Sequence, residues 1–237
     1  QIIFGIRFFY FQTAINPQII KSYAKDDLKN MHKLIFASSK YSFFLLLLLS
    51  MPVVFETEQI LVIWLKNVPE YTSSFIRIML FIVFMETMSN SIMTSVTATG
   101  NIKVYHSVVG TILLLIVPVS YCVLKLGASP IAVFYVYLIV EVFACIARVL
   151  IVRPMIKLSI KEYLNKVVFV SAHVGILSCV LPGILLFFLD AGMLRFILVT
   201  FFCVAGSLVS IYYCGLDIEE KHFVKLKVSN VIARLRA

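Results

Sequence analysis

A chain of 237 residues that is 61% hydrophobic and only 14% charged cannot cover a water-soluble surface. A mean hydropathy of +1.00 places it among membrane proteins. The net charge of +9 would suit nucleic acid, but the basic residues gather in alternate joints between apolar stretches, so no nucleic-acid partner is expected.

Seven apolar stretches follow one another: Ile2 to Ile20, Leu34 to Phe55, Ser73 to Thr97, Val104 to Leu126, Ile131 to Val152, Val167 to Leu189 and Met193 to Cys214. Each is about the length needed to cross a hydrocarbon core of ~30 Å. Amides in that core find no water, so each stretch must satisfy its own hydrogen bonds as a helix. The expected fold is all-α, a polytopic membrane bundle of about seven transmembrane helices. Pro52, Pro118 and Pro182 are expected to interrupt three of them. Cys122, Cys145, Cys179, Cys203 and Cys214 fall in or at the ends of spans without metal-ligand spacing, and read as small apolar packers. No metal site, cofactor or catalytic residue is expected. With Gln1 and no Met at its first position, the chain is expected to be the later part of a longer protein.

Charge sets the orientation. The first joint holds Lys21, Lys25, Lys29 and Lys33, the third Lys103, the fifth Arg153, Lys157, Lys161 and Lys166, and the tail Lys221, Lys225, Lys227, Arg234 and Arg236. The second joint carries Glu56, Glu58 and Glu70 against Lys66, with Trp64 placed for the outer headgroup level. Basic joints stay in the cytoplasm, so the first joint and the C-terminus are expected inside. Two pieces look amphipathic, one around Ile156, Ile160, Tyr163, Leu164 and Val167, the other around Val224, Val228, Val231, Ile232 and Leu235. Both suit helices on the inner leaflet, and the second equally suits an ordinary solvated tail. The chain thus divides into 1–152, five spans; 153–166, a cytoplasmic linker that can lie at the interface; 167–214, two further spans; and 215–237, a basic tail.

Ionisable groups at membrane depth are expensive and demand a reason. Glu86 opens a stripe with Ser89, Asn90, Met93, Thr94 and Thr97, all on one helix face. The stripe can line a hydrated cavity or act as hydrogen-bonding glue. Glu141 shares a face with Ala144, Cys145 and Arg148, which suggests a close helix contact with a buried polar pair. Arg7 lies roughly 15–20 Å above the end of its span. Gln12 and Asn16 share a different face of that helix, so either Arg7 or the Gln12 and Asn16 face lines a pathway, and the cost of burying a guanidinium favours Arg7. Arg77 and His173 read as anchors or satisfied core groups. The substrate-pathway candidates are therefore Arg7, Glu86, Asn90, Gln12, Asn16 and Glu141.

Loop sequences carry a resemblance. The run from Asn16-Pro17 to Asp26-Asp27, then Ile60 to Leu65 before Pro69-Glu70-Tyr71, then Thr97 to Lys103, then Lys125 to Ala128 resemble, in order and spacing, the second half of polysaccharide-transporter flippases. That family belongs to the multidrug/oligosaccharidyl-lipid/polysaccharide exporter superfamily. The resemblance implies helices 8 to 14 of a fourteen-helix protein, that is, the second lobe plus two extra helices, working by alternating access in the bacterial cytoplasmic membrane. It implies a polyprenyl-diphosphate-linked oligosaccharide as substrate, the repeat unit of O-antigen, lipopolysaccharide or another surface polysaccharide. The lipid bilayer and the N-terminal half of the same protein would be its partners, and Arg7 the residue best placed to meet the diphosphate. A cation-coupled multidrug exporter of the same superfamily is the alternative, with Glu86 as the ion site. A membrane-embedded polymerase or ligase would need a large outer loop with catalytic Arg or His, and the joints here are too short for one.

Overall fold

The computed structural model describes residues 15–65, 67–218, 220–222 and 225. Arg7, Gln12, Lys66 and the second amphipathic run lie outside these residues. Among the described residues there are helices and no strands. Residues 15–24 are helical. Six longer helices are apolar and long enough to cross a membrane: α1 (Leu28–Phe55), α3 (Thr72–Thr99), α4 (Ile102–Lys125), α5 (Ile131–Ile156), α6 (Ile160–Phe188) and α7 (Met193–Gly215). A short helix, α2 (Thr57–Trp64), follows α1. The all-α polytopic bundle is the observed architecture.

Helix ends sit where local chemistry puts them. Asp27 caps α1, its Oδ1 accepting the Asn30 amide at 3.0 Å, so α1 begins six residues before the apolar run at Leu34. Gly100, at φ +73°, ends α3 in the left-handed conformation that glycine adopts freely. Ser159 accepts the Glu162 amide at 3.3 Å and caps α6. The break between α5 and α6 is thereby confined to Lys157, Leu158 and Ser159, within the 153–166 stretch expected as a cytoplasmic linker. Ile156, Leu158, Tyr163 and Val167 turn into the bundle core, so the apolar side of this run packs on protein.

The prolines also differ from expectation. Helix α1 runs through Pro52 and α6 through Pro182, as membrane helices can when neighbours cover the freed carbonyls. Only at Pro118 is there an interruption, at Leu115, where the helical hydrogen bonds tighten to Ile112 before resuming from Val119 to Leu115. Two π-helical turns, Leu164–Phe169 and Ile211–Gly215, sit at the same end of α6 and α7. At the second, a β-carbon on Gly215 would lie 2.6 Å from Phe44 Cζ, so glycine is what lets α7 approach α1.

The helices pack in a row, α4 on α5, α5 on α3, α3 on α1, and α1 on the α6–α7 pair. Helix α1 is central and α4 is peripheral: 61% of the apolar window of α1 is buried against 11% for α4. Leu114, Val117, Phe187 and Leu194 point outward, as lipid-facing residues do. Buried serines at the contacts let helices approach closely. Ser39 Oγ and the Tyr163 hydroxyl both donate to the Met88 carbonyl, at 2.9 and 3.0 Å, tying α1 and α6 to α3.

Charged joints pair by end. At one end, His32 Nε2 lies 2.8 Å from the Ile156 carbonyl, joining the start of α1 to the end of α5, and the Lys40 ammonium, inside α1, reaches down to Glu220 of the tail at 2.8 Å. At the other, Arg195 makes two hydrogen bonds to Glu56, at 3.0 and 3.2 Å, and Arg77 Nε donates to the Val54 carbonyl at 3.1 Å. The first and fifth joints and the tail therefore stand at one end and the second and sixth joints at the other, as an up-and-down bundle requires.

Candidate functional site

A cleft of about 480 Å³ opens between α3, α4 and α5. Helix α3 contributes Glu86, Ser89, Asn90 and Met93, α4 contributes Tyr105 and His106, and α5 contributes Arg148. The cavity half of the α3 stripe is thus in place. The rest of the stripe turns elsewhere: Thr94 Oγ1 donates to Asn16 Oδ1 at 3.1 Å, joining α3 to the helix at 15–24. Cavity lining and interhelical glue are both present on one face, in successive turns.

Glu86 is half-buried, and its Oε1 accepts the Tyr137 hydroxyl at 3.0 Å. Glu141 is fully buried, and its Oε1 accepts from Arg148 Nη1. Its other oxygen, Oε2, is buried with no hydrogen-bond partner among the described residues. Ser89 Oγ and Cys145 Sγ lie 3.1 Å apart, and Cys145 Sγ is 3.7 Å from Glu141 Oε1. Two carboxylates and one guanidinium thus share the α3–α5 contact, where Ala144 is fully buried. The close helix contact with a polar pair expected for Glu141 is present, while Arg148 also faces the cleft. A guanidinium has five N–H donors, so Glu141 leaves most of its donor capacity for other partners.

Of the candidates read from the sequence, Glu86 and Asn90 line the cleft, Glu141 stands behind it through Arg148, and Asn16 meets the same α3 face one turn beyond. Arg7 and Gln12 lie outside the described residues. Tyr105 and His106, at the start of the fourth apolar stretch, are not among the candidates read from the sequence; the available signal is a histidine just inside a span. A second omission is Lys40, only 5% exposed within α1, whose ammonium binds Glu220 and lies 3.6 Å from Asp217. A single lysine inside the second apolar stretch, between Ser39 and Tyr41, is the available signal.

Fold and site together define a multi-pass, all-α membrane protein with a polar cleft among its spans. Comparison of the chain with family models, curated proteins and solved structures gives no match.

Proposed function

We propose that the protein is a flippase that moves a polyprenyl-diphosphate-linked oligosaccharide from the inner to the outer leaflet of the bacterial cytoplasmic membrane, its C-terminus in the cytoplasm. The observation that carries this reading is the cleft, in which a guanidinium suited to phosphate oxygens stands beside carboxylate, amide and phenol groups suited to sugar hydroxyls. Apolar outer faces leave the lipid chain in the bilayer while the polar headgroup travels along the helices. Alternating access would open the cleft first to one side and then to the other.

Proton- or sodium-coupled export of cationic drugs is a second reading, favoured by one observation: Glu86 is a membrane carboxylate facing the cleft, its Oε1 accepting from the neutral Tyr137 phenol. A single assay separates the two. In proteoliposomes, the protein should move a fluorescent polyprenyl-diphosphate disaccharide away from a membrane-impermeant quencher. Glu86→Gln should slow this several-fold with unchanged protein abundance. No movement of the lipid, together with exchange of a cationic dye for protons, would overturn the flippase reading and select the second.

A further inference from the structure

Gly100 and Gly127 hold φ values of +73° and +86°, which favour glycine, and at Gly215 a side chain would strike Phe44. Inside the described helices, only at Gly110 and Gly183 would an added β-carbon meet no atom within 4 Å. Of these two, Gly110 lines the α3–α4–α5 cleft.

Gly110 sits within the regular first segment of α4, Ile102–Leu114. A glycine there is a weaker choice than alanine, because it orders a flexible backbone and packs nothing. No neighbour needs the position bare, so the space left by the missing side chain belongs to the cleft. His106 at i−4 and Leu113 at i+3 share its face of α4. Glu86 and Asn90 of α3 and Arg148 of α5 line the same chamber, whose volume of about 480 Å³ is that of a site for a small headgroup. Bare backbone lets such a group come close to the helix.

We propose that Gly110 determines the size of the occupant the cleft admits, and that the sugar rings of the headgroup lie against the bare α4 backbone there while the diphosphate meets Arg148. The identity of the occupant rests on the flippase reading. The room at Gly110 does not, because it is measurable without any substrate. Alanine at 110 takes part of that room and leucine takes most of it, in both cases without a clash at the β-carbon.

The test uses the full chain in proteoliposomes, with Gly110→Ala and Gly110→Leu as variants. Gly183→Leu on α6 is the control, since a β-carbon is unopposed there too but the position lies outside the cleft lining. Gly110→Ala should unfold at or above the wild-type temperature; a lower midpoint would make the glycine a packing residue and overturn the proposal. Room is read at Met93→Cys, an exposed position on the cleft lining, in a cysteine-free background. Gly110→Leu should slow a bulky charged thiol reagent about tenfold relative to a small one, with no change in the control. An unchanged ratio would overturn the sizing role. For transport, Gly110→Leu should slow a polyprenyl-diphosphate disaccharide about tenfold more than the monosaccharide. Equal slowing of both lipids would overturn the placement of the sugars at Gly110. If wild type moves neither lipid while the reagents still discriminate, the flippase reading falls and the sizing role of Gly110 stands.

Discussion

Arg148→Gln is expected to be among the most destabilising single changes in the bundle. It deletes the guanidinium that meets Glu141 Oε1 and leaves that carboxylate, fully buried, with only the Cys145 thiol at 3.7 Å. Oε2 has no partner among the described residues to share the charge. Removing one member of a buried ion pair costs about 3–5 kcal/mol, because the other is stranded. Changing both, Glu141→Gln/Arg148→Gln, strands only neutral amides, so the double variant should cost less than Arg148→Gln alone. The coupling energy should reach at least about 2 kcal/mol. The assay is reversible unfolding by sodium dodecyl sulfate in mixed micelles, followed by circular dichroism across the four-member cycle. A cost for Arg148→Gln under about 1 kcal/mol, or additive costs in the double variant, would refute the buried-pair reasoning. Transport by the double variant then separates the two roles of Arg148. If stability returns and translocation does not, the guanidinium also serves the cleft.

The Lys40 pair makes a pH prediction. Burial alone would raise the Glu220 carboxyl, but hydrogen bonds from the Lys40 ammonium, the Tyr41 hydroxyl and the Asp217 amide outweigh it and hold the group below its ordinary range. Its folded value lies under the unfolded one of about 4.3, so its stabilisation is complete above that pH and is lost as pH falls through the folded value. Glu220→Gln should lower stability at neutral pH and flatten the acid limb, measured by thermal unfolding from about pH 6 to pH 3; an unchanged acid limb would exclude Glu220 as the group responsible. For topology, single cysteines at Lys29 and Lys161 in a cysteine-free background should resist an impermeant thiol reagent in intact cells, while one at Glu58 reacts. The reverse pattern would invert the proposed orientation.

Much of the bundle is legible in the chain because a membrane removes alternatives: an apolar run of sufficient length has to be a helix. The boundaries that moved did so for local reasons. Asp27 and Ser159 cap helices ahead of the apolar runs, and a short polar side chain that starts a helix looks the same in sequence as one in a solvated joint. The α3 stripe was readable because steps of three and four fix a common face whatever the neighbours are. Which turns of that face would meet a cavity and which a helix depended on Asn16 and Arg148, which come from other elements. Lys40 shows the limit most clearly. Its partner Glu220 lies 180 residues away, and no local pattern links a lysine inside a span to a carboxylate beyond the last one.

Helix α4 forms one wall of the candidate cleft, yet it rests chiefly on α5 and buries little of its own surface. Swinging it outward would exchange contacts with protein for contacts with lipid tails, and those two surroundings are nearly equal for valine, leucine and isoleucine. The interruption at Leu115, just ahead of Pro118, divides the helix into two arms, and only the first carries Tyr105 and His106. The aperture can therefore vary in width while the α3–α1 spine keeps its packing. Cleft width and bundle stability rest on different helices, so substitutions in the α4 wall alone could widen the cleft for a bulkier occupant.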